Sequence, residues 1–313
     1  MKSIPKKLTL LAALALSTLC PAEDAKKNIL LLAGRPSHGP GAHEHNAGSL
    51  LLKKCLDESG LLVKSTMIRD GEWPSPEQLA AADTVVIYCD GGDKHLILKD
   101  DRMQQLAKEM KRGCGLVCLH YAVEIPKDKG GAELLGWMGG YFETHWSVNP
   151  HWTADFKSFP AHPISNGLKP YAMLDEWYIH MRFTDQGKLT HVLSATAPED
   201  TMSRGDGPHS GNPHVRKAVA DGLPQTLAWA FERPDGGRGF GFTGGHFHKN
   251  WGDDNQRKTV LNAILWTAKA AVPAEGVTSK VTPEELAANL DPKAQQSMLD
   301  HESNPAFCAA CKH

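Results

Sequence analysis

Gly113-Cys-Gly-Leu-Val-Cys-Leu-His120-Tyr-Ala-Val-Glu124 is the stretch of this 313-residue chain that decides its fold. The apolar run from Leu116 to Leu119 has the length of a fully buried strand, and it ends at a histidine with a carboxylate four residues later. Ligands of open α/β sheets bind just beyond the carboxyl ends of the strands. His120 is therefore predicted to lie where such proteins carry out their chemistry.

Three other predicted strands run into loops that contain histidine. The strands and the residues that follow them are 28–33 with His38 and His43, 84–89 with Gly91, Gly92 and His95, and 239–242 with His246 and His248. Helices predicted at 47–59 and 98–112 alternate with these strands, which is typical of a doubly wound, mostly parallel α/β sheet of the flavodoxin-like type. We therefore expect the four strand ends to form one site.

The first 22 residues read as a secretory signal peptide. Three lysines precede an apolar run from Leu8 to Leu19, and Ala22 supplies a small residue where a signal peptidase cleaves. The run is too short to span a membrane, and no similar run follows. A lipid anchor on Cys20 is disfavoured because bulky Leu19 precedes it. We expect an exported protein, periplasmic or extracellular, with no transmembrane segment in the mature chain.

Charge and cysteine usage narrow the class of partner. Removing the first 22 residues takes away three lysines and no acid, so the net charge changes from −2 to −5. A negative chain is a poor partner for nucleic acid or an anionic membrane. Four cysteines fall on predicted buried elements and are expected to be core residues rather than disulfides, namely Cys55, Cys89, Cys114 and Cys118.

We predict one domain at 23–272 and a tail at 273–313. Strands at 152–156, 176–183 and 191–195 are predicted to be antiparallel additions, and 197–224 a long polar loop. In the tail, Thr282-Pro-Glu-Glu285 predicts a helix of roughly 16 residues. Cys308-Ala-Ala-Cys311 is predicted to be a disulfide or an incidental pair, with a haem or zinc site as the alternative.

Sixteen histidines are present, and their positions suggest a metal site. His43, His120 and His246 each follow a predicted strand, and three neutral imidazoles readily bind zinc or a similar divalent ion. The alternative is a metal-free pocket in which His120 acts as an acid or base. Other histidines are given lesser roles: His45 is predicted to point away from His43, His162 to be structural, and His95, His209, His214 and His301 to lie on the surface.

Two carboxylates are candidate catalytic groups. Glu124 follows His120, and Glu176 begins a predicted strand; either can act as a general base, cap backbone amides or orient a histidine. Aromatic faces beside polar groups suit sugar rings. The predicted partner is a small carbohydrate, and the oligomeric state is left open. The predicted substrate-binding residues are His38, Gly91, Gly92, His145, His248 and Trp251.

Six motifs, taken in order, resemble those of the ThuA-like, or trehalose-utilisation, family over about residues 27–270. They are Ser37-His38 to His45, Gly115-Leu-Val-Cys-Leu-His120, Gly139-Gly-Tyr-Phe-Glu-Thr-His145, His162-Pro-Ile164, Asp175-Glu176 to Tyr178, and Arg238-Gly-Phe-Gly-Phe-Thr-Gly-Gly-His246. The resemblance implies a fold similar to class I glutamine amidotransferases. That fold carries a cysteine nucleophile after its central strand, where this chain has His120. Cys118 is expected to be buried within the strand, so amidotransferase chemistry is not expected.

The resemblance also implies a role in the breakdown of trehalose and related glycosides, beside dehydrogenases that oxidise a sugar hydroxyl to a ketone. A 3-keto group acidifies the hydrogen on C2, so a base can remove it and the C1 substituent can leave by elimination. Our hypothesis is a metal-assisted hydrolase or lyase of glycosides or 3-keto-glycosides, with Glu176 or Glu124 as the base. The alternatives are a non-catalytic carbohydrate-binding or accessory protein and, through the terminal cysteine pair, a redox or haem protein.

Overall fold

The computed structural model describes residues 26–293, in which strands and helices alternate as predicted. The strands are β1 (Lys27–Ala33), β2 (Val63–Ile68), β3 (Thr84–Tyr88), β4 (Gly115–Leu119), β5 (Gly140–Tyr141), β6 (Trp152–Phe156), β7 (Tyr171–Asp175), β8 (Arg182–Phe183), β9 (Lys188–Ala195), β10 (Gln225–Glu232) and β11 (Arg238–Phe242). The α-helices are α1 (His45–Asp57), α2 (Pro76–Ala81), α3 (Arg102–Lys111), α4 (Ala132–Met138), α5 (Pro213–Ala220), α6 (Asp254–Thr267) and α7 (Pro283–Ala287). The predicted signal peptide, His301 and the pair Cys308 and Cys311 lie outside the described residues.

A seven-stranded sheet in the order β2-β1-β3-β4-β11-β10-β9 forms the centre of the molecule. Its first five strands are parallel. β10 runs antiparallel to both β11 and β9, and two small antiparallel pairs, β5 with β8 and β6 with β7, complete the strands. The predicted doubly wound, mostly parallel sheet with antiparallel additions is confirmed.

Helices cover both faces of this sheet. In β1, Ile29 and Leu31 face a core shared with α1 and α6, whereas Leu30 and Leu32 face a core shared with α2, α3 and α4. Successive side chains of a strand point to opposite faces, so a strand covered on both sides is apolar throughout. That is why the strands appear in the sequence as continuous apolar runs.

The strands that carry the predicted site end at one level of the sheet. Ala33 pairs with Tyr88, Tyr88 with Leu119, and Leu119 with Phe242. β2 lies on one side of β1 and β3 on the other, so the direction of strand order reverses between β1 and β3. Loops that follow such strand ends form the ligand crevice of open α/β sheets.

Two predicted elements are wrong in detail. The strand predicted at 176–183 does not form, because β7 ends at Asp175 and His180 has a left-handed φ of 60°, which breaks extended pairing. The polar loop predicted at 197–224 contains helix α5, whose N-cap Asn212 accepts hydrogen bonds from the His214 and Val215 amides.

The C-terminal helix is also shorter than predicted. Its capping box forms between Thr282 and Glu285, yet the helix ends at Ala287. Asn289 has a left-handed φ of 62°, and Pro292 follows it. Neither residue continues an α-helix, so the chain turns back towards the body of the protein.

The predictions for the cysteines are borne out in geometry. Cys55, Cys89, Cys114 and Cys118 are free and buried. Between residues 26 and 293, no helix has the length and apolar character needed to cross a bilayer.

Candidate metal centre

Three histidines and one glutamate converge at the strand ends. His43 follows β1, His120 follows β4, His246 follows β11, and Glu176 follows β7. His43 Nε2 lies 3.0 Å from His246 Nδ1 and 3.1 Å from His120 Nε2. Glu176 Oε2 lies 3.2 Å from His246 Nδ1 and 3.4 Å from His120 Nε2. All four ligand atoms lie within 4.8 Å of one another. We call these four residues the His/Glu cluster.

Two members of the cluster stand on a strained backbone. His43 and His120 have left-handed φ values of 49° and 53°, which cost a non-glycine residue on the order of 1–3 kcal/mol. Hydrogen bonds hold the loop of His43 in this conformation, since its amide donates to His246 O and Ala42 forms a bridge with Phe247. Strain of this kind is concentrated at functional sites, where it directs a side chain inward.

The loop that carries His246 is held by Asp175, the last residue of β7. Its buried carboxylate accepts hydrogen bonds from the amides of Gly245 and His246 at 2.8 and 3.0 Å. The side-chain amide of Asn250 donates to it at 3.0 Å. Sequence reasoning quoted Asp175 within a motif but gave it no role. An acid directly before Glu176 was the available signal.

The hydrogen bonds around the cluster fix the tautomers of two histidines. His120 Nδ1 lies 2.8 Å from Thr243 O, a carbonyl that can only accept, so Nδ1 carries the proton. His43 Nδ1 lies 3.3 Å from the carboxylate of Asp90, so its proton is on Nδ1 as well. The two Nε2 atoms, 3.1 Å apart, therefore face each other with lone pairs. Glu176 Oε2, a further acceptor, adds negative charge beside them.

Protonation does not relieve this crowding of acceptors. Burial lowers the pKa of His43 to about 2, although Asp90 acts in the opposite direction. Burial raises the pKa of Glu176, but hydrogen bonds from His120, His151 and His246 outweigh it, and that pKa lies well below its ordinary value. At neutral pH the cluster thus consists of neutral imidazole around a carboxylate, which is a donor set suited to a cation.

The spacing of the cluster also suits a metal ion. With metal-to-ligand distances of about 2.0–2.2 Å, neighbouring ligand atoms are about 3.4 Å apart in a tetrahedron and about 3.0 Å apart in an octahedron. The separations printed above, from 3.0 to 3.4 Å, span this range. Asp90, bound to the outer nitrogen of His43, is the kind of carboxylate that orients a histidine ligand.

Polar side chains surround the cluster on its more open side. Asn149 donates to Glu176 Oε1 at 3.0 Å and is itself bound by Arg204 at 3.0 Å. His151 Nε2 lies 3.5 Å from Glu176 Oε1. Arg204 comes from the segment 197–224, which was predicted to be a functional loop. These groups leave Glu176 Oε2 directed towards the histidines.

Glu124 is paired with a histidine that was predicted to lie on the surface. His209 Nε2 lies 2.8 Å from Glu124 Oε1, and this hydrogen bond raises the pKa of His209. The His209 side chain is 36% exposed, and its ring stacks on Phe142. The surface assignment of His209 is therefore wrong, and its carboxylate partner is far away in the sequence.

Two further histidine predictions are corrected. His95 is buried rather than exposed, with Nε2 bonded to Ala122 O and Nδ1 accepting from the Ile97 amide. His45 does not point away from the site, because its ring packs against His43 and its Nε2 lies 3.8 Å from Asp90. His162 caps the short helical turn that begins at Pro163.

The predicted substrate-binding residues fall into two groups. His38 stacks on His43 with ring centroids 3.6 Å apart and so belongs to the site. His248 bonds Leu286 O, Trp251 is fully buried in the core, and His145 is exposed; these three lie away from the cluster.

Gly91 and Gly92 pack the loop after β3 against the segment from Tyr121 to Glu124. A Cβ on Gly91 would lie 2.1 Å from Tyr121 O, and the Gly92 amide donates to Glu124 O. Only glycine fits the first of these positions. The two residues thus bring the loop of β3 close to Glu124.

A neighbouring cavity of about 690 Å³ shares residues with the surroundings of the cluster. Ser37, His38 and Asp90 line it, together with basic side chains from Arg35, Lys94 and Lys99. Ser37 Oγ donates to Asp90 at 2.7 Å. The four cluster residues themselves do not line this cavity.

Comparison with known proteins agrees with the motifs. The sequence model of ThuA, described as trehalose utilisation, matches residues 30–267. The chain belongs to the ThuA family. A search of curated proteins gives no significant match.

Solved structures of ThuA-like proteins share the fold. One from Bacteroides uniformis is 15% identical, with a TM-score of 0.54 over 78% of this chain and 92% of its own. Another, from Parabacteroides merdae, is 15% identical, with a TM-score of 0.52 over 82% of this chain and 94% of its own. Cys118 is fully buried in β4, as expected for a member that lacks the amidotransferase nucleophile, and burial raises its pKa.

Proposed function

We propose that this protein is a cation-dependent carbohydrate-processing enzyme, a hydrolase or lyase of glycosides or 3-keto-glycosides. Zinc is the ion that best suits three imidazoles and one carboxylate. Export to the periplasm or beyond is part of the proposal and rests on the pattern of the first 22 residues. Membership of a trehalose-utilisation family supports a sugar as the substrate.

One observation carries the proposal. His43 Nε2 and His120 Nε2 face each other at 3.1 Å with their protons held on Nδ1 by Asp90 and Thr243. An anionic carboxylate, Glu176, lies beside them. A buried group of acceptors without a shared proton is unfavourable unless a cation lies among them. The strained backbone at both histidines indicates that this convergence is functional.

The chemistry that we assign to the bound cation is polarisation of a keto or glycosidic oxygen. Glu176 is the anionic ligand, because its Oε2 is directed at two of the histidines and its Oε1 is held by Asn149. The low pKa of Glu176 makes it a poor base, so the proton-transfer role passes to another group.

We assign proton transfer to the pair of Glu124 and His209. Glu124 binds His209 Nε2, so Nδ1 is the basic nitrogen of the neutral ring. In the elimination, His209 takes the proton from C2, the C2–H electron pair forms a C1–C2 double bond, and the C1–O bond breaks. The imidazolium then returns the proton to the leaving oxygen, while Glu124 stabilises its positive charge.

A non-catalytic carbohydrate-binding protein is the second candidate. It predicts that the carboxylates cap backbone amides or point away from the crevice. Glu176 instead points into the cluster, and Glu124 holds an imidazole at its edge. This orientation favours the enzyme.

The first experiment is elemental analysis of the purified full-length protein beside His120→Ala and His246→Ala. We expect near-stoichiometric divalent metal in the wild type and none in either variant. The metal-loaded protein is then incubated with 3-keto-trehalose and a 3-keto-glucoside. A wild type that neither carries nor takes up a divalent ion would overturn the metal site, whereas metal and sugar binding without any turnover would favour the binding protein.

A further inference from the structure

The segment after α6 returns to the site from behind. Residues 282–293, which we call the C-terminal clamp, pass over the start of α1 and the turn that follows β11. Leu286 O accepts from His248 Nε2 at 2.9 Å, and the Asp291 carboxylate accepts from the Asn46 amide at 3.0 Å. The last of these residues, Lys293, lies against the loop that carries His43.

The Lys293 ammonium group fills a small cation site built by that loop. It donates to the carbonyl oxygens of Ala42 and His43, and it lies 3.0 Å from Glu44 Oε1. A further contact of 3.5 Å joins it to Gly39 O. The side chains of Lys293 and Glu44 are only 5% and 1% exposed, so this is a buried ion pair.

Glu44 connects the clamp to the loop in two more ways. Its Oε1 accepts from the Gly41 amide at 2.9 Å, and its Oε2 accepts from the Asp291 amide at 2.8 Å. Each carboxylate oxygen is therefore bound, and so are the carbonyls on both sides of the His43 amide. Burying these charges is tolerable only because each one is paired and hydrogen-bonded.

This arrangement bears on the cluster because His43 is strained. Its left-handed φ of 49° disfavours the conformation that directs its ring inward. The ammonium binds the carbonyls of Ala42 and His43, and so it holds the two peptide groups whose orientation sets that φ. Without it, the remaining restraints on the loop are the bridge to Phe247 and the hydrogen bond to His246 O.

We infer that the C-terminal clamp is a positioning element for the cation site, in which Lys293 acts through Glu44 and the loop carbonyls to hold His43 in place. Lys293 touches neither the cluster nor a substrate, so it is a positioning residue. The inference rests on the proposed metal function of the cluster. It makes the cation affinity of His43 depend on a residue 250 positions later in the chain.

The test compares Lys293→Met with a matched control in the same segment. Lys54→Ala removes an exposed ion pair between α1 and Glu285 and leaves the His43 loop intact. Zn²⁺ affinity of each full-length protein is measured by competition with a chromophoric chelator, and the Co²⁺-loaded forms are compared by visible absorption. We expect Lys293→Met to weaken Zn²⁺ binding about 10- to 100-fold, as loss of an outer partner of a metal ligand does.

The Co²⁺ spectrum distinguishes positioning from a general loss of stability. A displaced His43 alters the ligand-field bands, whereas a merely less stable protein keeps them in its folded fraction. Lys293→Gln, which retains a donor, is the second variant and is expected to recover part of the affinity and of the wild-type spectrum. Lys54→Ala is expected to match the wild type within about two-fold.

Each outcome decides between the two ideas. Wild-type affinity and spectrum in both Lys293 variants would overturn the clamp and leave the metal site standing. A wild-type protein that binds neither Zn²⁺ nor Co²⁺ would overturn the metal site and the clamp with it. Equal losses in Lys293→Met and Lys54→Ala would also overturn the clamp, because they would show general destabilisation.

Discussion

His95 and His120 both follow strands of the same sheet, and both are buried, yet their rings have opposite surroundings. His95 accepts the Ile97 amide on Nδ1 and bonds Ala122 O through Nε2, so both nitrogens are satisfied by backbone. His120 bonds Thr243 O through Nδ1 and presents Nε2 to another imidazole and a carboxylate. Burial does not separate a core histidine from a ligand, whereas the partner of the second nitrogen does.

The largest expected effect is on metal binding after His120→Ala. We expect the affinity for Zn²⁺ to fall at least about 100-fold, because a ligand is removed and its neighbours lose their geometry. His95→Gln is the matched control: it should keep the metal and lose about 1–3 kcal/mol of unfolding free energy through its unsatisfied backbone partners. Chelator competition and urea unfolding measure the two quantities. If His95→Gln also lost the metal, the contrast between the two histidines would be broken.

Asp90→Asn tests whether the tautomer of His43 matters. The amide is nearly isosteric, but it no longer requires the proton on His43 Nδ1, so we expect Zn²⁺ binding to weaken about 10- to 100-fold. Asp93→Asn removes a nearby carboxylate whose partner is the exposed Lys129, and it should leave binding unchanged. The same competition assay reads both variants. An unchanged affinity in Asp90→Asn would contradict the assigned tautomer.

The pH dependence of stability sharpens the other half of the comparison. Burial lowers the pKa of His95 to about 4 from an ordinary 6.5, although its bond to Ala122 O acts in the opposite direction. The unfolded chain then binds a proton more readily than the folded protein, so this histidine destabilises the fold as pH falls below about 6.5. Between pH 7 and pH 5 its share is about 2 kcal/mol. Urea unfolding at both pH values should show a smaller loss in His95→Gln than in the wild type; equal losses would mean that His95 does not contribute.

The smallest effect concerns His209, whose pKa is raised by its hydrogen bond to Glu124. In Glu124→Gln we expect the pKa of His209 to fall towards its ordinary value while metal binding is retained. The sign for stability is opposite to that of His95, since this pair stabilises the fold at low pH and loses its effect as pH rises through the folded pKa of His209. An NMR titration of the His209 ring gives the shift. No change in Glu124→Gln would separate the two groups and remove the proposed proton-transfer pair.

The strand ends were the part of the site that the sequence could predict. An apolar run of strand length followed by histidine occurs at β1, β4 and β11, and parallel strands that share a core must end at one edge. His43, His120 and His246 therefore converge as predicted. The fourth strand end, β3, contributes Asp90 rather than His95, because the short helical turn after Gly91 carries His95 back into the core.

Glu176 shows the limit of local pattern. Its sequence, Asp175-Glu176-Trp177, resembles the start of a strand, but the strand ends there, since Asp175 turns to bind the loop of His246. Glu176 can enter the cluster only because of that interruption. Polar residues at a functional site override the propensity of their neighbours, and this override depends on groups far away in the chain.

The sequence alone determined which residues are buried, the alternation of strand and helix, and the edge of the sheet at which the histidines lie, because these follow from local periodicity and from the geometry of parallel strands. The tertiary structure alone decided which nitrogen of each ring faces the crevice, that His209 pairs with Glu124, and that Lys293 binds the loop of His43. Hydrogen bonds between residues 85 and 250 positions apart set these features. Such bonds leave no period or spacing in a sequence, since their partners meet only after the chain has folded.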